Sequence, residues 1–143
     1  MKERQGFVLG GTLIVDRVKI VDVYPKEGTL AYIMASSRGI GGCPTNNAIN
    51  LKVLDPDLLI AVIGCVGDDE DGRYILDELS QKQIDIRAIR ISKTKPTSYA
   101  DVITVKGAGQ RTFFHDRGAN SEWGFDDIPF EKSGMIVLSQ SGE

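Results

Sequence analysis

Residues 39–72, GIGGCPTNNAINLKVLDPDLLIAVIGCVGDDEDG, constrain the fold of this chain more than any other stretch. Gly41 and Gly42 can take backbone conformations closed to other residues and let a ligand come close to the main chain. Pro44 suits a first helical turn, and Thr45 and Asn46 are capping types. A helix is therefore expected to start here, its unpaired N–H groups favouring hydroxyls or anions. Ile49 with Val53, and Ala48 with Leu51, fall at helical spacing and predict one buried face. Asp55 and Pro56 end the helix, because the residue before proline is pushed out of the helical region. Residues 58–66 are apolar on both faces and too few for a membrane span, which suits a central strand of a covered parallel sheet. GDDEDG then leads into a second helical pattern, RYILDELSQKQ, with Ile75, Leu76 and Leu79 on one face. Asp68, Asp69, Glu70 and Asp71 are expected to favour that helix start through its dipole, since the EF-hand spacing does not fit.

Around this helix–strand–helix unit the chain changes period. Residues 7–15 read as a buried strand interrupted by Gly10 and Gly11, with Asp16 immediately after it. In an open α/β sheet ligands collect at the carboxyl ends of the strands, so a carboxylate there can accept hydrogen bonds from a ligand; taken by itself, a surface aspartate in a turn is the favoured reading. Between Arg17 and Arg38 alternation predicts two short strands, through Val18 and Ile20 and over residues 30–36, joined by a turn at residues 25–28. Residues 84–91 alternate as a half-buried strand. YADVITV and QRTFFHD form a hairpin around residues 106–109, with aromatic cross-strand partners. Trp123, Phe125 and Phe130 are expected to pack on the core, and residues 135–138 to form a last strand.

GGCPTNNA followed by IGCVGDDEDG resembles the N-terminal signature of the PfkB (ribokinase-like) carbohydrate kinases. GGTLIVDRV before it and PTSYADVITVKGAGQRTFFHDRGAN after it extend the resemblance, in the family's order, to roughly residues 7–139. The pattern departs at Cys43, Asn47 and Asp55. The resemblance implies an α/β, ribokinase-like fold: a mostly parallel central sheet flanked by helices, with a small β-sheet lid from about residues 17–38 and 97–119. It also implies transfer of the γ-phosphoryl group of ATP, with Mg2+ and in some members a monovalent cation, to a hydroxyl of a sugar or nucleoside. The substrate-binding residues it implies are Asp16, Gly41, Gly42 and Asn46, with Thr97 and Ala100 in the lid's T-x-x-A and Asn120 at the lid's return. A homodimer through the lid sheet is a further expectation.

Family members are about twice this length. The nucleotide site, the anion hole and the catalytic base are expected in a segment beyond these 143 residues, so no catalytic or metal-binding residue is assigned here and neither ATP nor Mg2+ is expected to be held by this chain alone. GAGQ at residues 107–110 resembles the family's catalytic GAGD, but its position is wrong and Gln110 cannot take a proton as an aspartate does, so it reads as a hairpin turn. His115 reads as a surface or packing residue. The alternative function is a non-catalytic sugar- or nucleoside-binding module. A dinucleotide fold is disfavoured, since Pro44 stands where a third glycine would be, and no P-loop GK[ST] occurs.

Seventeen Lys and Arg against 20 Asp and Glu give a net charge of −3, which asks for neither nucleic acid nor an anionic membrane. Cys43 and Cys65 read as small buried packing residues in a reduced, cytoplasmic setting.

Overall fold

A computed structural model describes residues 6–128 and 136–139. In chain order the elements are β1 (Phe7–Gly10), β2 (Ile14–Val21), β3 (Ile33–Gly41), α1 (Cys43–Leu54), β4 (Ile60–Gly67), α2 (Glu70–Gln81), β5 (Ile89–Ser92), β6 (Tyr99–Val105), β7 (Arg111–Asp116) and β8 (Ile136–Ser139). Short 3-10 turns occupy Gly118–Glu122 and Phe125–Asp127.

The strands form two sheets. The first is wholly parallel, in the order β5-β4-β1-β8, with β4 central as its two-sided apolar run requires. Both α-helices pack into one cluster: Ala48 of α1 and Ile75 and Leu79 of α2 meet Leu9, Ile60, Val62 and Val66. Burial of each large side chain in this cluster is worth about 1.5–3 kcal/mol. Residues of opposite parity, Val8 and Ile63, pack with Ile128 and Trp123. The second sheet, in the order β3-β2-β6-β7, is mixed: β2 pairs antiparallel with β3 and parallel with β6, and β6 forms the expected hairpin with β7. This is the expected α/β architecture, a parallel sheet with a smaller second sheet.

Several local expectations are corrected. Residues 7–15 are not one strand: Gly11 has φ 151°, β1 ends at Gly10, and the chain resumes at Ile14 in the other sheet. Asp16 is therefore the third residue of β2 and not the residue after a core strand. The strand expected over residues 30–36 starts later and runs on to Gly41, directly into α1. Within α1 the buried stripe is Pro44, Thr45 and Ala48, with Leu51 beside it. Val53 lies two residues, or 200°, beyond Leu51 and is 77% exposed, so it is not part of that face. Residues 84–91 do not form one strand, because Arg87 closes on Asp85 and the Ile89 N–H bonds back to the Ile86 carbonyl. Only β5 and an isolated bridge between Ala61 and Asp85 remain. In the hairpin the aromatics Phe113 and Phe114 pair with Val102 and Asp101, not with each other. Cys65 is buried as expected, but Cys43, at the first position of α1, is exposed. The packing expected of the Phe125 and Phe130 side chains lies outside the described residues.

Candidate functional site

The second sheet presents two different faces, set by the period of two along each strand. Val15, Arg17 and Tyr99 look toward α2. Arg17 donates to Asp71 at 2.6 Å and lies 4.0 Å above the Tyr99 ring. Arg38, the register partner of Arg17, reaches Glu70 at 3.1 Å and Asp71 at 3.4 Å and lies 4.2 Å above the Tyr74 ring. The opposite face carries Asp16.

Asp16 pairs with Gly39 on one side and Ala100 on the other, and Ala100 pairs in turn with His115. Gly39, Asp16, Ala100 and His115 thus form one cross-strand row. A Cβ placed on Gly39 would meet nothing within 4 Å, so the space beside Asp16 is open. Gly41 lies diagonally across from Asp16, and a Cβ there would stand 2.3 Å from Asp16 Oδ2. Only glycine lets the carboxylate occupy that position. Burial raises the Asp16 pKa above its ordinary value and the nearby His115 lowers it in part, while no hydrogen-bond donor among the described residues contributes. The result is a half-buried carboxylate with free acceptor capacity.

Where β3 becomes α1, Gly42 caps the helix at φ 95°, with its Cα hydrogen side against the Thr12 carbonyl. It offers no side-chain cap. Thr45, a capping type by sequence, instead turns its hydroxyl back and donates to the Gly41 and Gly42 carbonyls at 2.6 and 2.8 Å. The start of α1 therefore keeps its backbone donors for another partner, next to Asp16. Asn46 sits in this turn and is exposed, so its amide is accessible at the same end of the helix.

The lid residues assigned by sequence divide. Ala100 lies in the Asp16 row and is buried. Thr97 does not: its hydroxyl donates to Asp69 Oδ1 at 2.6 Å and accepts from the Gly67 N–H at 2.9 Å, and its own N–H donates to Asp69 Oδ2 at 2.7 Å. Asp69 is also the cap of α2, accepting from the Gly72 N–H at 2.8 Å. Asn120 is likewise engaged with protein, its amide accepting from the Leu13 N–H at 3.1 Å and donating to the Leu13 carbonyl at 3.0 Å. A side chain so held fixes the turn between β1 and β2. Among the described residues, no group of three or more His, Cys, Asp or Glu is arranged to hold a metal ion.

His115 is the residue of the row that sequence reasoning set aside. The signal for it was in the hairpin: Ala100 and His115 are equidistant from the centre of the turn at Gly107 and Ala108, which fixes their pairing.

Residues 7–142 match the family described as pfkB family carbohydrate kinase. The chain is 32% identical over 105 residues to the Arabidopsis thaliana protein named probable fructokinase-7, covering 72% of this chain and 30% of that one. The nucleoside kinase of Methanocaldococcus jannaschii, an archaeal member of the ribokinase family, superposes with a TM-score of 0.81 at 22% identity, over 98% of this chain and 46% of that one. Arabidopsis thaliana ribokinase, solved with ribose and ATP, superposes with a TM-score of 0.78 at 24% identity, over 95% and 45%. These two likenesses show a ribokinase-like fold. The matched stretches cover 30%, 36% and 23% of the length of three curated relatives, so the chain spans well under two thirds of them.

Proposed function

We propose that this chain, which belongs to the pfkB family of carbohydrate kinases, is the substrate-binding and lid portion of an ATP-dependent kinase acting on a sugar or nucleoside hydroxyl. The observation that carries this reading is the Asp16 carboxylate, half-buried, without a hydrogen-bond donor among the described residues, and seated against Gly41 beside the start of α1, which has no side-chain cap. A carboxylate accepts from hydroxyls, and free backbone N–H groups donate to their oxygens, so together they suit a polyhydroxylated ligand. Asp16, Gly41, Gly42 and Asn46 hold the sugar, and Ala100, beside Asp16 in the second sheet, supplies a small apolar floor. Thr97 and Asn120 act one step back, by fixing the lid strands.

ATP with Mg2+ supplies the phosphoryl group in this reading. In such a transfer the protein's work is to position the acceptor, exclude water and stabilise charge. This chain's residues serve the first two: the carboxylate and helix start fix which hydroxyl points out of the site, and the face of the second sheet that carries Asp16 shields that side of the ligand from solvent. The residues arranged here are suited to the sugar.

Self-association through the second sheet belongs to the same proposal, supported by the exposure of Tyr32, Ile33, Met34, Phe113 and Phe114. A cytoplasmic setting is supported by both cysteines being free.

Calorimetric titration of the protein with D-fructose, D-ribose, adenosine and their phosphorylated forms, then with Mg-ATP, tests the central claim. Saturable binding of one neutral sugar or nucleoside, abolished by Asp16→Ala, is expected. A folded sample that binds none of them would refute it.

A further inference from the structure

The row Gly39–Asp16–Ala100–His115 crosses all four strands of the second sheet with its side chains on one face. Neighbouring strands lie about 4.8 Å apart, so the Asp16 and His115 backbones are separated by about 10 Å with only the Ala100 methyl between them. Both longer side chains can lean over that methyl. With an acceptor at one end and an imidazole at the other, the row presents partners for hydroxyls on two sides of a pentose or hexose ring lying over it. The next row on the same face, Val18, Val102 and Phe113, is apolar and offers a surface for the ring's C–H groups. His115 itself is exposed and makes no side-chain hydrogen bond among the described residues, whereas Thr97 and Asn120 are both engaged with protein atoms.

We propose that His115 is a specificity-determining residue of the sugar site, hydrogen-bonding a hydroxyl on the side of the substrate opposite Asp16. This rests on the reading of Asp16 as the sugar anchor. The ligand class it implies is a neutral polyol, because an anionic group placed between the two would meet the Asp16 carboxylate. An imidazole can donate or accept, so it selects for a hydroxyl in one position and orientation and against an epimer that points it elsewhere.

The test is a set of titrations of the wild-type protein, His115→Ala, His115→Asn and Asp16→Ala with D-fructose, D-ribose and adenosine. Removal of His115 is expected to weaken the preferred ligand about 5- to 10-fold and to narrow the preference among the three, with His115→Asn intermediate. Asp16→Ala is expected to abolish binding. In the ligand-free protein, NMR titration of the Asp16 carboxyl should move upward in His115→Ala, because a neighbouring positive charge is lost, and a titration left in place would show that the two side chains do not share one site. Unchanged affinities and preferences in His115→Ala, beside loss of binding in Asp16→Ala, would overturn the role of His115 and leave the sugar site standing. Absence of binding by the folded wild type, or binding untouched by Asp16→Ala, would overturn both.

Discussion

Asp69 holds Thr97 with both carboxylate oxygens, Oδ2 accepting the backbone N–H at 2.7 Å and Oδ1 the hydroxyl at 2.6 Å. The same carboxylate caps α2 through Gly72. One side chain thus joins the end of the core strand β4, the start of α2 and the entry into β6 of the second sheet, and the acidic run GDDEDG is a structural joint.

Replacing Asp69 by Ala should destabilise the protein by about 2–4 kcal/mol, from a lost cap and two lost hydrogen bonds to a charged acceptor. Burial by itself would raise the Asp69 pKa, but the hydrogen bonds from Thr97 and Gly72 and the Arg73 charge outweigh it and hold it below the ordinary value. The sign follows for an acid whose folded pKa is depressed. Its contribution is complete above the unfolded value of about 3.9 and is lost as pH falls from there through the folded value. Urea unfolding followed between pH 7 and pH 2 should show a fall in wild-type stability below about pH 4 that is reduced in Asp69→Asn. Parallel curves for the two proteins would contradict this.

Gly41→Ala is expected to act on binding through Asp16. The new Cβ would stand 2.3 Å from Oδ2, so the carboxylate must rotate away from its present position. Affinity for the sugar should drop about 10- to 100-fold, the scale of a lost charge-assisted hydrogen bond. The unfolding midpoint should change little, because the displaced group is half-exposed. Retained affinity in Gly41→Ala would mean that Asp16 does not anchor the ligand where it now sits.

Asn120→Ala should cost about 2–4 kcal/mol, since it leaves both the N–H and the carbonyl of buried Leu13 without partners. Asn120→Asp discriminates the cause. A carboxylate can still accept from the Leu13 N–H but sets an oxygen against the Leu13 carbonyl, so this near-isostere should be at least as damaging as alanine at neutral pH and should improve on acidification. Thermal melts of the two variants at pH 7 and pH 5 check it; an aspartate variant as stable as wild type at pH 7 would exclude the clamp.

The fold was legible because its signals are local. Alternation marked the hairpin, Asp55 and Pro56 stopped α1 where expected, and the two-sided apolar run made β4 central. What escaped were relationships that only the meeting of distant segments creates. Gly10 and Gly11 marked an interruption, yet nothing in residues 7–15 says that the chain changes sheets there. Thr97 and Asn120 have polar side chains suited equally to a ligand or to a backbone, and the choice was made by Asp69 and Leu13, 28 and 107 residues away. His115 has no distinguishing neighbour in sequence, and its significance comes from a register that passes through Ala100 to Asp16.

The pairing of Arg17 and Arg38 with α2 yields a prediction about motion rather than stability. Each guanidinium stacks on a tyrosine and reaches the acidic first turn of α2, with Asp71 shared between them. Both arginine side chains are 42% exposed, so the ion pairs are screened and Asp71→Asn should lower global stability by less than about 1 kcal/mol. The stacking contacts survive that change. Yet these pairs tie the second sheet to the core helix, so their loss should loosen β2 and β3 locally. Amide hydrogen exchange in those strands should accelerate in Asp71→Asn at low salt. In about 1 M salt, where the Debye length falls to about 3 Å, wild type and variant should converge. A difference that persists undiminished at high salt would assign the attachment to packing, with the arginines acting through their stems and ring contacts instead of their charge.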